Sequence, residues 1–301
     1  MSKQREVLII GGGLSGIAVA YALQKRQIDY TLIEVKPKLG GAICTVYQNG
    51  YIMDGVNLAH RRATLEPVLA ELGIADAVYA LDEERIAFVQ GTDVLVQQLA
   101  KRLNGRIIQR MAVTSIGAHP YGTGYAICLE NGLTLSAKRV VVAVSAPYAE
   151  RIFRTLAPSI SEQLLNYEYD PIVRVSLGYA LNELPSTDAL GESITVTDHP
   201  ARVPRGYGLM QVAWRITDAT SSLNQVVDTV VKQLGGKAPI ASFAHYWRES
   251  DPLTVAKPEW NPSAIEQLLP EGVLLVGNCY RPHDLGERIR FADHAIQQLF
   301  R

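Results

Sequence analysis

The sequence predicts an α/β protein in which a parallel sheet flanked by helices is interrupted along the chain by a second part with antiparallel strands. Three observations support this. An apolar run at residues 7–10 leads into a glycine-rich loop and an apolar helix pattern, which indicate a strand, a tight turn and a helix. A continuous apolar run at 139–145 is typical of a strand buried on both faces. Alternating polar and apolar runs between 148 and 270 indicate an antiparallel sheet with one face inward.

The glycine-rich loop, Gly11-Gly12-Gly13-Leu14-Ser15-Gly16, has the spacing of a phosphate-binding turn. Gly11 permits the sharp turn off the strand, Gly13 leaves the backbone open to a pyrophosphate, and Gly16 lets the helix pack closely on the sheet. The N–H groups at the start of that helix favour a dianionic group. The loop therefore predicts a site for an adenine dinucleotide. A tight turn that binds no ligand is the weaker interpretation, because the strand before the loop, the helix after it and the acidic residue at the end of the next strand all fit a dinucleotide site.

That acid is Glu34, which ends the next predicted strand at residues 30–34. A carboxylate at this place accepts hydrogen bonds from both hydroxyls of an adenosine ribose. It would repel a 2′-phosphate.

Composition sets the class of protein and of partner. The 301 residues suffice for one large or two interleaved domains. With 48% hydrophobic residues, 20% charged residues and a net charge of −1, the chain has no electrostatic footprint for nucleic acid, so we expect a small-molecule partner. Cys44, Cys128 and Cys279 form no CxxC pair, which predicts a reduced, cytoplasmic protein. The N-terminal apolar run is too short to span a bilayer, and docking on the sheet explains the apolar final helix more simply than membrane contact.

A second glycine pair, Gly40-Gly41, follows soon after Glu34. A plain NAD fold would continue into another helix and strand, whereas here the backbone stays bare. This favours a longer flavin-adenine cofactor, although a hairpin turn that needs glycine also explains the pair taken alone.

Together these stretches resemble the flavin amine oxidase superfamily, particularly its protoporphyrinogen oxidase branch. The resemblance rests on residues 11–34, Leu39-Gly40-Gly41, Thr45, 50–55, 245–252, 270–281 and a final helix with Ala292 and Ala295. It covers both ends of the chain well and the middle poorly. In this family the interval 61–82 holds a large helical part of the substrate domain. Here it contains one short amphipathic helix, so we expect a shortened substrate domain.

The resemblance implies a Rossmann-like FAD-binding domain of the glutathione-reductase type, discontinuous in sequence, with an inserted antiparallel α+β substrate domain. We expect the FAD-binding domain at residues 1–60, 90–147 and 270–301, and the substrate domain at 61–89 and 148–269. The strand at 273–276 should rejoin the cofactor sheet.

The resemblance also implies noncovalently bound FAD and removal of a hydride from a C–N or C–C bond of a small-molecule substrate. The implied cofactor contacts are Gly11, Gly13, Leu14, Ser15, Gly16, Glu34, Val35, Lys36, Gly40, Gly41, Ala42, Asp54, Gly55, Val56, Asn57, Val113, Trp247, Gly277, Asn278, Leu285, Glu287, Arg288 and Ile289. The chain departs from the family at Ala42, where relatives carry an arginine that meets the phosphates. Since a charge-assisted hydrogen bond is worth about 1.5–3 kcal/mol, cofactor binding should weaken unless Lys36 or Lys38 compensates. A solvated loop explains these lysines equally well.

No catalytic residue stands out, and no Ser-His-Asp, paired-carboxylate or metal cluster is visible. The pocket candidates are Trp247, Tyr207, Gln211 and Arg215. Trp247 matches the family tryptophan, although a core tryptophan is an equal alternative, and the other three alternate along one predicted strand. His60, His245 and His283 lie near predicted contacts, where surface or core roles are more usual than base catalysis.

Two residues near the C-terminus bear on the flavin itself. Asp284 and Glu287 form a good helix-capping pair. A carboxylate at the flavin N1–C2=O edge would oppose the negative charge of reduction, so either Asp284 points away or this flavin is harder to reduce. A covalent flavin bond to Cys279 is disfavoured, because its place beside Gly277-Asn278 suggests the phosphate end.

Two other functions stay open. Ala42, the shortened lid and residues 282–284 motivate a flavin-binding relative without oxidase activity. An NAD-dependent dehydrogenase that uses only the first motif is the third hypothesis. Neither 122–124 nor 206–208 opens a helix, so no second dinucleotide site is predicted.

Overall fold

The computed structural model describes residues 4–186, 194–217, 221–249, 262–280 and 284–300. The chain divides into two compact units. The first comprises Met1–Gly41, Val96–Glu168 and Pro252–Arg301, and the second comprises Ala42–Leu95 and Tyr169–Asp251. The domain limits expected from the sequence stay a prediction.

In chain order the strands are β1 (Arg5–Ile10), β2 (Tyr30–Glu34), β3 (Thr45–Gln48), β4 (Tyr51–Asp54), β5 (His60–Arg61), β6 (Val78–Ala80), β7 (Arg85–Phe88), β8 (Arg106–Gln109), β9 (Val113–Ala118), β10 (Tyr125–Leu129), β11 (Thr134–Val142), β12 (Ile172–Ala180), β13 (Ile194–Thr197), β14 (Tyr207–Arg215), β15 (Ala241–Tyr246) and β16 (Val273–Leu275). The α-helices are α1 (Leu14–Lys25), α2 (Arg62–Glu71), α3 (Asp93–Lys101), α4 (Ala146–Phe153), α5 (Pro158–Leu164), α6 (Leu223–Gln233), α7 (Pro262–Leu268) and α8 (Leu285–Leu299). Within the described ranges, no helix combines the length and apolar character that crossing a lipid bilayer requires.

The first unit contains a sheet in the order β8-β2-β1-β11-β10-β9, with β16 also paired to β11. Its central strands are parallel: Ile10 lies opposite both Ile33 and Val142, and Val142 lies opposite Leu275. The carboxyl ends of β2, β1, β11 and β16 therefore meet at one edge, where loops that bind ligands collect. The expectation that the chain near 273–276 returns to this sheet is confirmed.

Strand β11 differs from its expected form. The apolar run at 139–145 was expected to form a strand of its own, but its residues up to Val142 belong to a longer strand that spans Thr134–Val142. Its first part pairs antiparallel with β10 and its last part pairs parallel with β1. The strand-like run at 106–116 likewise divides into β8 and β9, because Arg110 has a φ of 56° and bends the chain.

Helices α1 and α8 pack against each other in the first unit. Asp293 of α8 accepts from Arg26 at 2.8 Å and pairs with Lys25 at 3.2 Å. The expected cap of the last helix is confirmed, because Asp284 Oδ1 accepts from the Glu287 N–H at 2.9 Å. This carboxylate is thus engaged with its own helix.

The second unit contains the antiparallel sheet predicted from the alternating runs, in the order β13-β14-β12-β15. One face packs against α6 through buried side chains that include Val175, Leu177, Val212, Val226 and Val230. The expected inward face is therefore confirmed. The other face carries polar side chains together with Leu209 and Ala241, which pack with Tyr51, Met53 and Val203.

A fully buried ion pair ties several loops of the second unit together. Arg202 Nη2 donates to Asp54 Oδ2 at 2.8 Å, and both side chains are 0% exposed. Arg202 Nη1 donates to the Phe88 carbonyl at 3.0 Å. Asp54 Oδ1 accepts from the Thr45 hydroxyl at 2.7 Å and from the Thr92 N–H at 2.8 Å. Both carboxylate oxygens of Asp54 and both terminal nitrogens of Arg202 thus have hydrogen-bonding partners, as burial of an ion pair requires, whereas the buried Arg202 Nε has none in the described part of the chain.

Replacing Arg202 by methionine is expected to destabilise the protein by about 3–5 kcal/mol, because the variant leaves the Asp54 carboxylate buried without a counter-charge. Urea unfolding measures the change. Lys237→Met is the control, since Lys237 forms an exposed pair with Glu183 and its loss should cost less than about 1 kcal/mol. Equal losses in the two variants would contradict a special role for the buried pair.

Acid should weaken the bridge between α1 and α8. The hydrogen bond from Arg26, with a smaller contribution from Lys25, lowers the pKa of Asp293. The bridge therefore adds stability above the unfolded-state pKa of about 3.9, and this stability is lost as the pH falls through the lower folded-state pKa. At pH 7, Asp293→Asn should cost roughly 0.5–1 kcal/mol.

Urea unfolding of the wild type and the Asp293→Asn variant at a series of pH values tests this dependence. The two stability curves should converge in acid. A stability difference that does not change with pH would argue against the bridge. Glu66→Gln, which removes an exposed pair with Arg62 at 3.3 Å, serves as a control.

Candidate dinucleotide and flavin site

In the first unit the two glycine motifs lie against each other. Gly13 and Gly40 form a parallel bridge, and the Gly40 N–H donates to the Gly12 carbonyl at 2.8 Å. Gly41 has a φ of +65°, and a Cβ placed on it would lie 3.1 Å from Gly13 Cα. A side chain on Gly41 would therefore require Gly13 to shift, whereas a Cβ on Gly13 itself would meet Gly41 Cα at an ordinary 3.9 Å. The result is a bare peptide surface at the carboxyl ends of the strands.

The start of α1 also packs closely against the glycine-rich loop. A Cβ on Gly16 would lie 1.9 Å from the Gly11 carbonyl oxygen, so any other residue would push the helix off the loop. Gly13 occupies the N-cap position and supplies no side-chain acceptor to the N–H groups of the first turn. This arrangement suits an anion at the helix N-terminus. Leu14 is buried and Ser15 is half-buried in that first turn.

Glu34 is held rigidly beside the same loop. Its side chain is buried, with the residue 6% exposed. Oε2 accepts from the Gly12 N–H at 2.5 Å, and Oε1 accepts from the Lys36 N–H at 2.7 Å. An ionised carboxylate offers about four acceptor positions, so about two remain for the hydroxyls of a ribose. Val35, which lies between Glu34 and Lys36 in the sequence, is exposed.

The turn that precedes Val113 lies alongside this carboxylate. The Met111 N–H donates to the Glu34 carbonyl at 3.1 Å, and the Arg110 N–H donates to the Lys36 carbonyl at 3.3 Å. Val113 then begins β9, opposite Leu129. The structure thus brings the backbone before Val113 next to Glu34, and the adenine contact of Val113 stays a prediction.

The C-terminal segment reaches the same edge of the sheet. The Val276 N–H donates to the Val142 carbonyl at 2.9 Å, and the Tyr280 hydroxyl donates to the Val144 carbonyl at 2.6 Å. Arg288 Nη2 donates to Asn278 Oδ1 at 2.6 Å, which joins the loop after β16 to the first turn of α8. Gly277 and Asn278 therefore lie at the edge that also carries the glycine loop.

The other predicted contacts of this segment differ in burial. Leu285 and Ile289 are buried, whereas Glu287 and Arg288 are half-buried. Cys279 is 7% exposed. His283 and its neighbours at 281–283 lie outside the described residues, as do 250–252 of the resembling stretch.

In the second unit, residues 54–58 form an irregular segment after β4. Gly55 is tightly enclosed, since a Cβ there would lie 2.5 Å from Cys44 Sγ and 2.7 Å from the His245 ring. His245 Nδ1 lies 2.9 Å from the Gly55 carbonyl, and because a carbonyl oxygen only accepts, Nδ1 carries a proton and donates it. Arg174 Nε donates to Asn57 Oδ1 at 2.7 Å. Ala42 is half-buried and offers no charge to a phosphate.

The pocket candidates have different surroundings. Gln211 is 5% exposed, and its amide contacts the segment 54–58. The Tyr207 ring packs edge-on against Tyr51 with centroids 6.3 Å apart, and Arg215 pairs with Asp170 at 2.5 Å. Trp247 is half-buried directly after β15. Their role in a substrate pocket stays a prediction.

Sequence reasoning missed several residues of this region. Arg202, Thr45 and Thr92 engage the carboxylate of Asp54, so the side chain of this predicted contact is committed to the buried ion pair. His60 is buried, with Nε2 3.2 Å from Thr92 Oγ1. No local pattern marks Arg202, which lies in a loop. The alternation of β12 and β15 could have placed Arg174 and His245 on the polar face.

Comparison with known proteins fixes the family. The model described as "NAD(P)-binding Rossmann-like domain" matches residues 9–66, and the model described as "Flavin containing amine oxidoreductase" matches residues 74–300. Because the second match covers well over half of the chain, the protein belongs to the flavin-containing amine oxidoreductase family. The resemblance, the fold class and a flavin as cofactor, all predicted from the sequence, are confirmed.

Individual relatives match over shorter stretches. Coproporphyrinogen III oxidase of Bacillus subtilis (strain 168) is 32% identical over 79 residues, which cover 24% of this chain and 17% of that protein. Protoporphyrinogen oxidase 2, chloroplastic/mitochondrial, of Arabidopsis thaliana is 34% identical over 74 residues, covering 24% and 16%. Each match thus spans less than a fifth of the relative's length.

A solved structure extends the likeness to the whole fold. The crystal structure from Exiguobacterium sp. 255-15, described as "Putative protoporphyrinogen oxidase", superposes with a TM-score of 0.80 over 99% of both chains. The sequence identity is 13%, so this likeness shows the fold alone.

Glu34→Gln should weaken the binding of ADP by roughly 10- to 100-fold, since it removes the charge and one hydrogen-bond acceptor, an effect of about 1.5–3 kcal/mol. Titration calorimetry measures the change, with Glu66→Gln as a surface control. ADP binding that is unchanged by the substitution would place the adenosine elsewhere.

Proposed function

We propose that the protein is an FAD-dependent oxidoreductase that binds FAD noncovalently and removes a hydride from a C–N or C–C bond of a small-molecule substrate. The observation that carries the proposal is the contact between two glycine motifs beside a buried, half-satisfied carboxylate. Family membership supports a flavin. FAD is the flavin that also presents an adenosine ribose to Glu34.

The residues of the first unit fit this cofactor. The first turn of α1 would hold the pyrophosphate, because Gly13 and Gly41 leave the backbone bare. Glu34 would accept the ribose hydroxyls, and the backbone near Val113 would meet the adenine. Gly277 and Asn278 would approach the ribityl phosphate. When bound, the flavin supplies the hydride acceptor.

A noncovalent link agrees with the position of Cys279. This thiol follows Asn278 at the sheet edge and is nearly buried. Its neighbours are the ones expected to meet the phosphate end of the cofactor, so a thioether to the isoalloxazine ring is not part of the proposal.

The cofactor would supply the chemistry of the reaction, so the side chains of this protein would need only to orient the substrate. In the second unit, the polar side chains of the sheet would supply the substrate-facing groups, with Tyr207, Arg215 and Trp247 as candidates, whereas the amide of Gln211, the fourth pocket candidate, is engaged with residues 54–58. Asp284 caps α8 and is therefore engaged with the Glu287 N–H. This supports the alternative in which Asp284 does not oppose flavin reduction.

A flavin-binding relative without oxidase activity is the second candidate, favoured by Ala42, which leaves the phosphates without the family arginine. An NAD-dependent dehydrogenase is the third, and the family match weighs against it. We also infer a cytoplasmic location and no nucleic-acid partner, from the near-neutral charge and the cysteines. No disulfide joins Cys44, Cys128 and Cys279, all of which lie in the described part of the chain.

Purified protein is expected to show the visible absorption bands of a flavin. After acid precipitation all of the yellow colour should remain in the supernatant, because no covalent bond holds the FAD. Colour retained in the pellet would contradict the noncovalent proposal. A colourless protein that takes up NAD and no flavin would overturn both flavin hypotheses.

Anaerobic stopped-flow mixing with amines and with porphyrinogens then separates the two flavin hypotheses. An oxidoreductase should lose its absorption near the flavin maximum with at least one of these substrates. A flavin that only dithionite bleaches would favour the binding protein.

A further inference from the structure

One face of the four-stranded sheet in the second unit carries polar side chains beside the apolar cluster that includes Leu209 and Ala241, and three of these polar side chains, those of Gln211, His245 and Arg174, contact a single segment. Gln211 lies opposite Ser176 across β12 and β14, and His245 lies opposite Arg174 across β12 and β15. Alternation places these residues on the face opposite to the apolar side that packs against α6. Polar side chains on a covered sheet face need hydrogen-bond partners.

Gln211 makes the largest set of contacts to the segment 54–58. Its Nε2 donates to the carbonyls of Asp54 and Val56, each at 2.9 Å. Its Oε1 accepts from the Leu58 N–H at 2.6 Å. One amide group thus fixes three backbone positions within five consecutive residues.

Few other hydrogen bonds to the backbone of residues 54–58 are found in the described part of the chain. The segment connects β4 to β5, and its irregular course takes it out of both sheets. The Gly55 N–H donates to the Cys44 carbonyl at 2.9 Å, and the Gly55 carbonyl accepts from His245. Gln211 and His245 therefore hold the peptide groups on the two sides of Gly55, and Gln211 also holds the Val56 carbonyl, so the segment has one defined conformation.

We infer that Gln211 is a positioning residue for the cofactor, acting through residues 54–58. This inference rests on the proposed function, since Asp54, Gly55, Val56 and Asn57 are predicted FAD contacts. A segment that is ordered before the ligand arrives costs less conformational entropy on binding. Peptide dipoles held in one orientation would also influence the reduction of a flavin that contacts this segment.

Only an amide that both donates and accepts satisfies these three backbone groups. Glutamate has nearly the same shape and keeps the acceptor for the Leu58 N–H, but it lacks the N–H donors for Asp54 and Val56. Gln211→Glu therefore removes the donors without creating a cavity. Gln225→Glu makes the same chemical change on α6, where the side chain is exposed and needs only to accept from the Ser222 N–H.

The experiment compares wild type, Gln211→Glu and Gln225→Glu for FAD affinity, by flavin fluorescence, and for the reduction potential of the bound flavin. We expect the Gln211→Glu variant to bind FAD at least tenfold more weakly and to shift the potential, while Gln225→Glu matches the wild type in both. Affinity within twofold of the wild type together with an unchanged potential would overturn the inference. If the wild type itself binds no flavin, the proposed function fails instead.

Hydrogen exchange of the wild-type protein keeps the inference testable if Gln211→Glu does not fold. In the protein stripped of FAD, the Leu58 amide should already exchange at least tenfold more slowly than an unstructured amide. Exchange at the unstructured rate without FAD, followed by protection only after FAD is added, would show that the cofactor orders the segment and that Gln211 does not.

Discussion

The close contact between two glycine-bearing backbones is the constraint on which the first unit depends. A Cβ on Gly41 would lie only 3.1 Å from Gly13 Cα, and a Cβ on Gly16 would lie 1.9 Å from the Gly11 carbonyl oxygen. Glu34 then uses the N–H of Gly12, which lies between them, as one of its two anchors. A change at any of these positions would move the helix start, the carboxylate and the bare peptide surface together, so the parts of this site are not independent.

Most of the first unit could be predicted because each of its elements is indicated by a pattern of residues that are close together in the sequence. Strand, glycine loop, helix and acid follow one another between residues 5 and 34, and each has a recognisable residue pattern. The partners of β11 were harder to predict. Its apolar end indicates burial, but no local pattern states that the same strand leaves β10 and joins β1 and β16. Strand pairing is decided by the whole sheet, whereas periodicity reports only which face is buried.

The second unit shows the same limit more strongly. The four strands and α6 were predicted from alternation and helical spacing. The support of residues 54–58 was not, because Gln211 lies 157 positions away from Asp54 and Arg202 lies 148 positions away. A buried arginine in a loop has no sequence signature, and its burial becomes favourable only beside the carboxylate that neutralises it. Likewise, the substrate is not determined by the fold, since one fold carries many chemistries.

The distance in sequence between Asp54 and Arg202 has a consequence for biosynthesis. The hairpin of β3 and β4 leaves the ribosome well before residue 202 is made, and its carboxylate cannot be enclosed in an apolar interior until the guanidinium arrives. The nascent chain must therefore keep this hairpin hydrated, or held by a chaperone, through the synthesis of more than a third of the protein. The apolar surroundings of Asp54 can therefore close only after residue 202 has been made.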